Sequence, residues 1–281
     1  MQRKPELATG VQQAEILRQS AGVHDLAAKV LSVENQPEFQ SCLEHLKLIV
    51  KSGINSSVGQ MNRGAASDDI GRKMIELYFS CLAIHCGFDV ELDHPTNSSG
   101  DNPDVMFTAK DGETLRETRW ALAIKSISSR SGQTIYERIK EGAHQIDVCS
   151  ADKGIIVINV KDALDHESFW NRSFDNLIDA LESLKSSIDE VIEKSKENRD
   201  LEDWREVLSG KTVFPIAVLG QSLCRLTTKS GQPQPTVLKA LVAFNPTKSL
   251  SADAEALKVC FFFNELMQKI ILGETDSSGP R

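Results

Sequence analysis

The sequence predicts an α/β fold, a mixed sheet flanked by helices, with extra helices at the N-terminus and an α/β extension at the C-terminus. Three observations carry this. Gly154 to Val160 is almost purely apolar and β-branched, the pattern of a strand buried on both faces. Val105 to Ala109 and Trp120 to Ile127 are apolar runs on either side of a turn, Lys110-Asp111-Gly112-Glu113, which reads as a hairpin. Apolar residues from Ile70 to Ile84 and from Ile135 to Ile146 recur at helical spacing.

Taken in order, residues 11–52 read as helical, with Leu17, Leu26, Val30, Cys42, Leu46 and Ile49 on helical spacing. Residues 53–59 read as a loop. Ser67-Asp68-Asp69 has a capping hydroxyl and early acids, so a helix is expected to start there and stop at Gly87. Phe88 to Leu92 alternates like a strand, and a polar loop leads to Pro103. Thr134 to Val148 is expected to be a helix with Ile135, Ile139, Ile146 and Val148 inward. The strand from Gly154 follows that helical crossover, so it should run parallel to the strand before it. Phe174, Leu177, Leu181, Leu184, Ile188 and Val191 form a seam on a long amphipathic helix, either packed on its own domain or contacting a protein partner. Val213 to Gly220 and Val237 to Phe244 read as strands, and Ser251 as the cap of a closing helix through Leu257, Phe261 and Ile271. The expected divisions are 1–60 (N-terminal helices), 61–162 (core), 163–210 (acidic helical region), 211–274 (strands and helix packing on the core) and 275–281 (disordered tail).

Bulk composition narrows the function classes. The chain has 281 residues with a net charge of −8, which argues against a globally basic coat for nucleic acid but leaves room for a local groove. No run is apolar enough to span a membrane, and no apolar stretch follows Met1 to Glu6. The six cysteines form no CxxC pair, so zinc and disulfides are not expected and a cytoplasmic location is.

Lys125 stands out because it interrupts an apolar run, and an unpaired buried ammonium is costly. The hairpin returns it beside Asp104, the residue that opens the other strand. Their plainer readings are a turn aspartate after proline and a lysine at a strand end.

The order helix, three strands, helix, strand, with Pro103-Asp104 on the second strand and Ala123-Ile124-Lys125 on the third, resembles the PD-(D/E)xK nuclease superfamily over roughly residues 67–160. The resemblance implies a restriction endonuclease-like αβββαβ core and a metal-dependent nuclease acting on DNA. Such enzymes work in bacterial or phage defence, restriction or repair. It implies Mg2+ or Mn2+ held by Asp104, with the Ile124 backbone carbonyl facing it, and Lys125 on the phosphate and the attacking water. The family's second acid falls at Ala123, which cannot bind metal. Three readings stay open: the acid was removed by substitution, it moved, or the site only binds. Glu137, a dozen residues after the lysine, is one candidate for a moved acid, and Glu137, Glu141 and Gln145 share helical spacing. Glu76 on the first helix is another accessory acid, with an ion pair to Arg72 or Lys73 as its plainer reading. Arg72, Lys73, Arg130, Gln133, Arg138 and Gln145 are the candidate nucleic-acid contacts, and a homo-oligomer is a further option. The competing class is a non-catalytic module that binds nucleic acid or a protein through a degenerate nuclease fold.

Overall fold

The computed structural model describes residues 10–52, 65–96, 101–112 and 114–269. Its helices are α1 (Gly10–Val33), α2 (Leu43–Ser52), α3 (Ala65–Cys86), α4 (Gly132–Val148), α5 (His166–Asn171), α6 (Leu177–Glu193), α7 (Leu201–Val207) and α8 (Ala254–Gln268). Its strands are β1 (Phe88–Leu92), β2 (Val105–Lys110), β3 (Glu117–Ser126), β4 (Lys153–Asn159), β5 (Ser173–Phe174), β6 (Ile216–Thr227) and β7 (Pro233–Phe244). They form one mixed sheet in the order β1-β2-β3-β4-β6-β5, with β7 along the other edge of β6. β1, β2 and β3 pair antiparallel. β3, β4 and β6 pair parallel, as the β-branched run and the α4 crossover require.

Both faces of the sheet are covered. On one face Leu77, Phe79 and Leu82 of α3 and Phe263 of α8 pack against Phe107, Leu122 and Val157. On the other, Ile135 and Ile139 of α4 and Leu184 and Ile188 of α6 pack against Ala123, Ile156 and Ile158. Leu122 and Ile124 therefore face α3, and Ala121 and Ala123 face α4. Close seating of α4 depends on Gly154, where a Cβ would fall 2.4 Å from Ile146 Cγ2.

Several expectations need correction. The seam from Phe174 to Val191 does not lie on one helix. Phe174 pairs with Leu226 as a short strand, and Asn176 then caps α6 by accepting the Asp179 N–H. The seam of α6 is spent inside the chain, with Leu184, Ile188 and Val191 buried among residues of β4 and β6, while Leu177 and Ile178 stay exposed. β6 and β7 each run to twelve residues, longer than the apolar runs suggest. The outer half of β7 is solvated and begins with Pro233 and Pro235, which an edge strand tolerates. Asp253, not Ser251, caps α8 through the Ala256 N–H. Val148 is exposed rather than inward, and Phe261 of α8 is exposed too. α3 begins at Ala65, before Ser67. The expected loop at 53–59, Ile271 and the tail at 275–281 lie outside the described residues. Among the described residues no helix is long and apolar enough to cross a membrane.

Candidate active site

Asp104 is the last residue before β2, where the strand meets its neighbours on both sides. Its N–H donates to the Leu122 carbonyl, and its own carbonyl accepts from the Asp93 N–H, both at 3.0 Å. Asp104 Oδ2 accepts the Ile124 N–H at 2.6 Å. Val105 pairs with Leu122, so Asp104 stands opposite Ala123. Ile124 thus meets Asp104 through its N–H rather than its carbonyl.

Lys125 lies two residues beyond Ala123 on the same side of β3, half-buried. Its Nζ donates to Gln145 Oε1 of α4 at 2.5 Å. Burial pushes the Lys125 amine below its usual range, while the charges of Asp104, Glu141 and Glu76 act to keep it protonated.

Glu76 enters from α3, on the opposite side of the sheet. It is 4% exposed. Glu76 Oε2 accepts from His45 Nε2 of α2 at 3.0 Å and from Lys73 Nζ at 2.8 Å. Burial works to raise the Glu76 carboxyl, but the His45 hydrogen bond and the Lys73 ammonium outweigh it and hold the group below the usual carboxylate range. Among the described residues the buried His45 Nδ1 has no hydrogen-bond partner.

These groups act on one another at one rim of the sheet. The Asp104 carboxyl is raised to about 7, first by burial and then by the negative charge of Glu76, against the pull of Lys125, the Ile124 N–H and Lys73. A carboxyl group raised by burial and by a like charge beside an ammonium makes this rim a candidate site. Sequence reasoning missed His45. Its place three residues after buried Cys42 and four before buried Ile49 was the signal available.

The remaining candidates are placed differently. Ala123 is fully buried, and a Cβ built on Gly142 of α4 would lie 3.4 Å from its methyl carbon. Glu137 does not reach the rim. It is exposed, and its carboxylate accepts from the Gln133 amide at 2.6 Å, because it sits at the far end of α4 from Gln145. Gln133 also meets Arg199. Arg130 donates to the Ala163 carbonyl at 2.7 Å, on the same side as Gln133. Arg138 pairs with Glu141 at 2.7 Å, and the charges of both are felt at Lys125. Arg72 is exposed on α3, whereas Lys73 is buried as the counter-ion of Glu76. The six proposed nucleic-acid contacts therefore do not line one groove. Lys73 and Gln145 belong to the rim itself, and Arg130 and Gln133 lie beyond it.

Among the described residues no three His, Cys, Asp or Glu side chains are grouped to hold a metal. The rim offers two carboxylates, and position 123 supplies no third. Both Glu76 oxygens already accept from Lys73, and Oε2 also from His45, so a hard divalent cation there would have to displace Lys73 and draw its other ligands from water and a substrate phosphate. Two clefts of about 550 and 480 Å3 lie elsewhere, beside Arg119 and beside Phe262. No protein-family model, curated protein or solved structure matches this chain.

Proposed function

We propose that this chain is a metal-dependent nuclease that hydrolyses phosphodiester bonds in DNA, as an endonuclease of a bacterial or phage defence, restriction or repair system. What supports the reading is the electrostatic convergence of Asp104, Glu76 and Lys125, drawn from three separate elements, on one rim. Asp104 and Glu76 would hold Mg2+ or Mn2+, which polarises the phosphate and lowers the pKa of a water. The Ile124 N–H engages Asp104 Oδ2, leaving Oδ1 as the oxygen that would meet a cation. Without a cation, a carboxyl titrating near 7 is half protonated at neutral pH. Cation binding therefore displaces that proton. Lys125 places an ammonium where negative charge grows on the phosphate oxygens. With an alanine at position 123 a cation would be held by few protein ligands, so its affinity should rise when nucleic acid is present.

Supercoiled plasmid incubated with the protein and Mg2+ or Mn2+ should be nicked or linearised, and EDTA should stop the reaction. A gel shift of DNA without cleavage in either metal would instead select the second reading, a binding module on a degenerate nuclease fold. The observation that favours that alternative is the buried, apolar Ala123.

A further inference from the structure

We infer that Gln145 is a positioning residue, which aims the Lys125 ammonium at the substrate phosphate. The inference rests on the nuclease reading for its consequence, though not for its geometry.

Gln145 is 7% exposed and lies next to fully buried Ile146 on α4. A buried amide must find a partner, and here its carbonyl oxygen accepts a hydrogen bond from Lys125 Nζ at 2.5 Å. Among the described residues Lys125 Nζ makes no other hydrogen bond. An ammonium has three N–H donors, so two remain for phosphate oxygens.

The identity of the holding group matters. Glu141, Asp104 and Glu76 already act on Lys125 with negative charge. A further carboxylate in contact would lock the ammonium into an ion pair and neutralise the charge the phosphate must meet. A neutral amide fixes the direction of the side chain and leaves its charge in play. Ala123 is itself fully buried against α4, so on this side of β3 it is Lys125 that carries the polar group. Gln145 lies one turn beyond Gly142, where α4 packs against Ala123.

Two variants test this, Gln145→Met and Gln145→Glu, each measured alone and on a Lys125→Ala background. Misaiming a reacting group by about 1 Å costs on the order of 100-fold. Gln145→Met should therefore lower kcat by about 10- to 100-fold and leave KM for DNA within about 2-fold. Gln145→Glu should also lower kcat, which sets the amide apart from a simple polar space-filler. Neither change should matter further once Lys125 is alanine. In protein carrying 15N-lysine, the Lys125 ammonium resonance should be visible in the parent and broadened or shifted in Gln145→Met. Equal kcat losses with and without Lys125, or an unchanged ammonium resonance in Gln145→Met, would overturn the inference. Should the parent cut no DNA, the nuclease reading fails on its own, and the ammonium resonance still decides whether Gln145 holds Lys125.

Discussion

Asp104→Asn should make the protein more stable, and more so as the pH rises. Asp104 is enclosed at the rim and titrates near 7, against 3.8 for an unperturbed aspartate. Its folded-state pKa is raised, so between those values the folded protein holds a proton that the unfolded chain has released. Stability therefore falls as pH climbs through this window, and the full cost is present above it. Roughly three units at about 1.4 kcal/mol each set an upper limit near 4 kcal/mol. Lys125 loses its carboxylate neighbour in the variant, which gives back part of the gain, so about 2 kcal/mol is the expected net. An asparagine oxygen can still accept the Ile124 N–H, so the local backbone contact survives. Thermal melts in EDTA should show Asp104→Asn ahead of the parent by roughly 4 to 8 °C near pH 8, with the gap closing towards pH 4. Millimolar Mg2+ should narrow the gap at high pH, since a cation bound only by the folded parent stabilises it. A parent as stable as the variant near pH 8 would refute the reasoning. It would mean that Asp104 is an ordinary ionised carboxylate satisfied by Lys125.

Two further outcomes follow from the packing. Ala123→Glu forces a long charged chain against Gly142 and Ile156; the expected result is a loss of about 1 to 3 kcal/mol in urea unfolding and no gain in plasmid cleavage, and a 10-fold faster reaction would show that position 123 is a vacated ligand site with room to spare. Leu184→Ala should cost roughly 2 to 5 kcal/mol, whereas Ile178→Ser on the exposed face of α6 should stay within about 0.5 kcal/mol; the reverse order in denaturant melts would mean that the α6 seam is not spent inside the chain.

Much of this site could be read before any coordinates. Lys125 is visible because an ammonium in an apolar strand demands an explanation, and Asp104 because proline fixes where its strand begins. The parallel β4 is visible in its composition alone. What was hidden depends on distance along the chain and on helix rotation. His45 reaches Glu76 from a different helix, and nothing local in either segment announces the contact. Glu137 and Gln145 share helical spacing, but each four-residue step turns about 40° and rises about 6 Å, so only Gln145 arrives at Lys125. Pro233 and Pro235 conceal the full length of β7 because proline reads as a break unless the strand is known to be an edge. The interruption at Asn176 is masked by leucines whose spacing continues past it.

The most direct trial of the central claim compares plasmid cleavage in Mg2+ by the parent with that of Lys125→Ala, Asp104→Asn and Glu76→Gln, each first shown to be folded by its melt. The account predicts metal-dependent cleavage by the parent and a loss on the order of 100-fold or more in each variant. Cleavage at parental rates by Lys125→Ala and Asp104→Asn would show that the chemistry, if any, takes place elsewhere on the molecule.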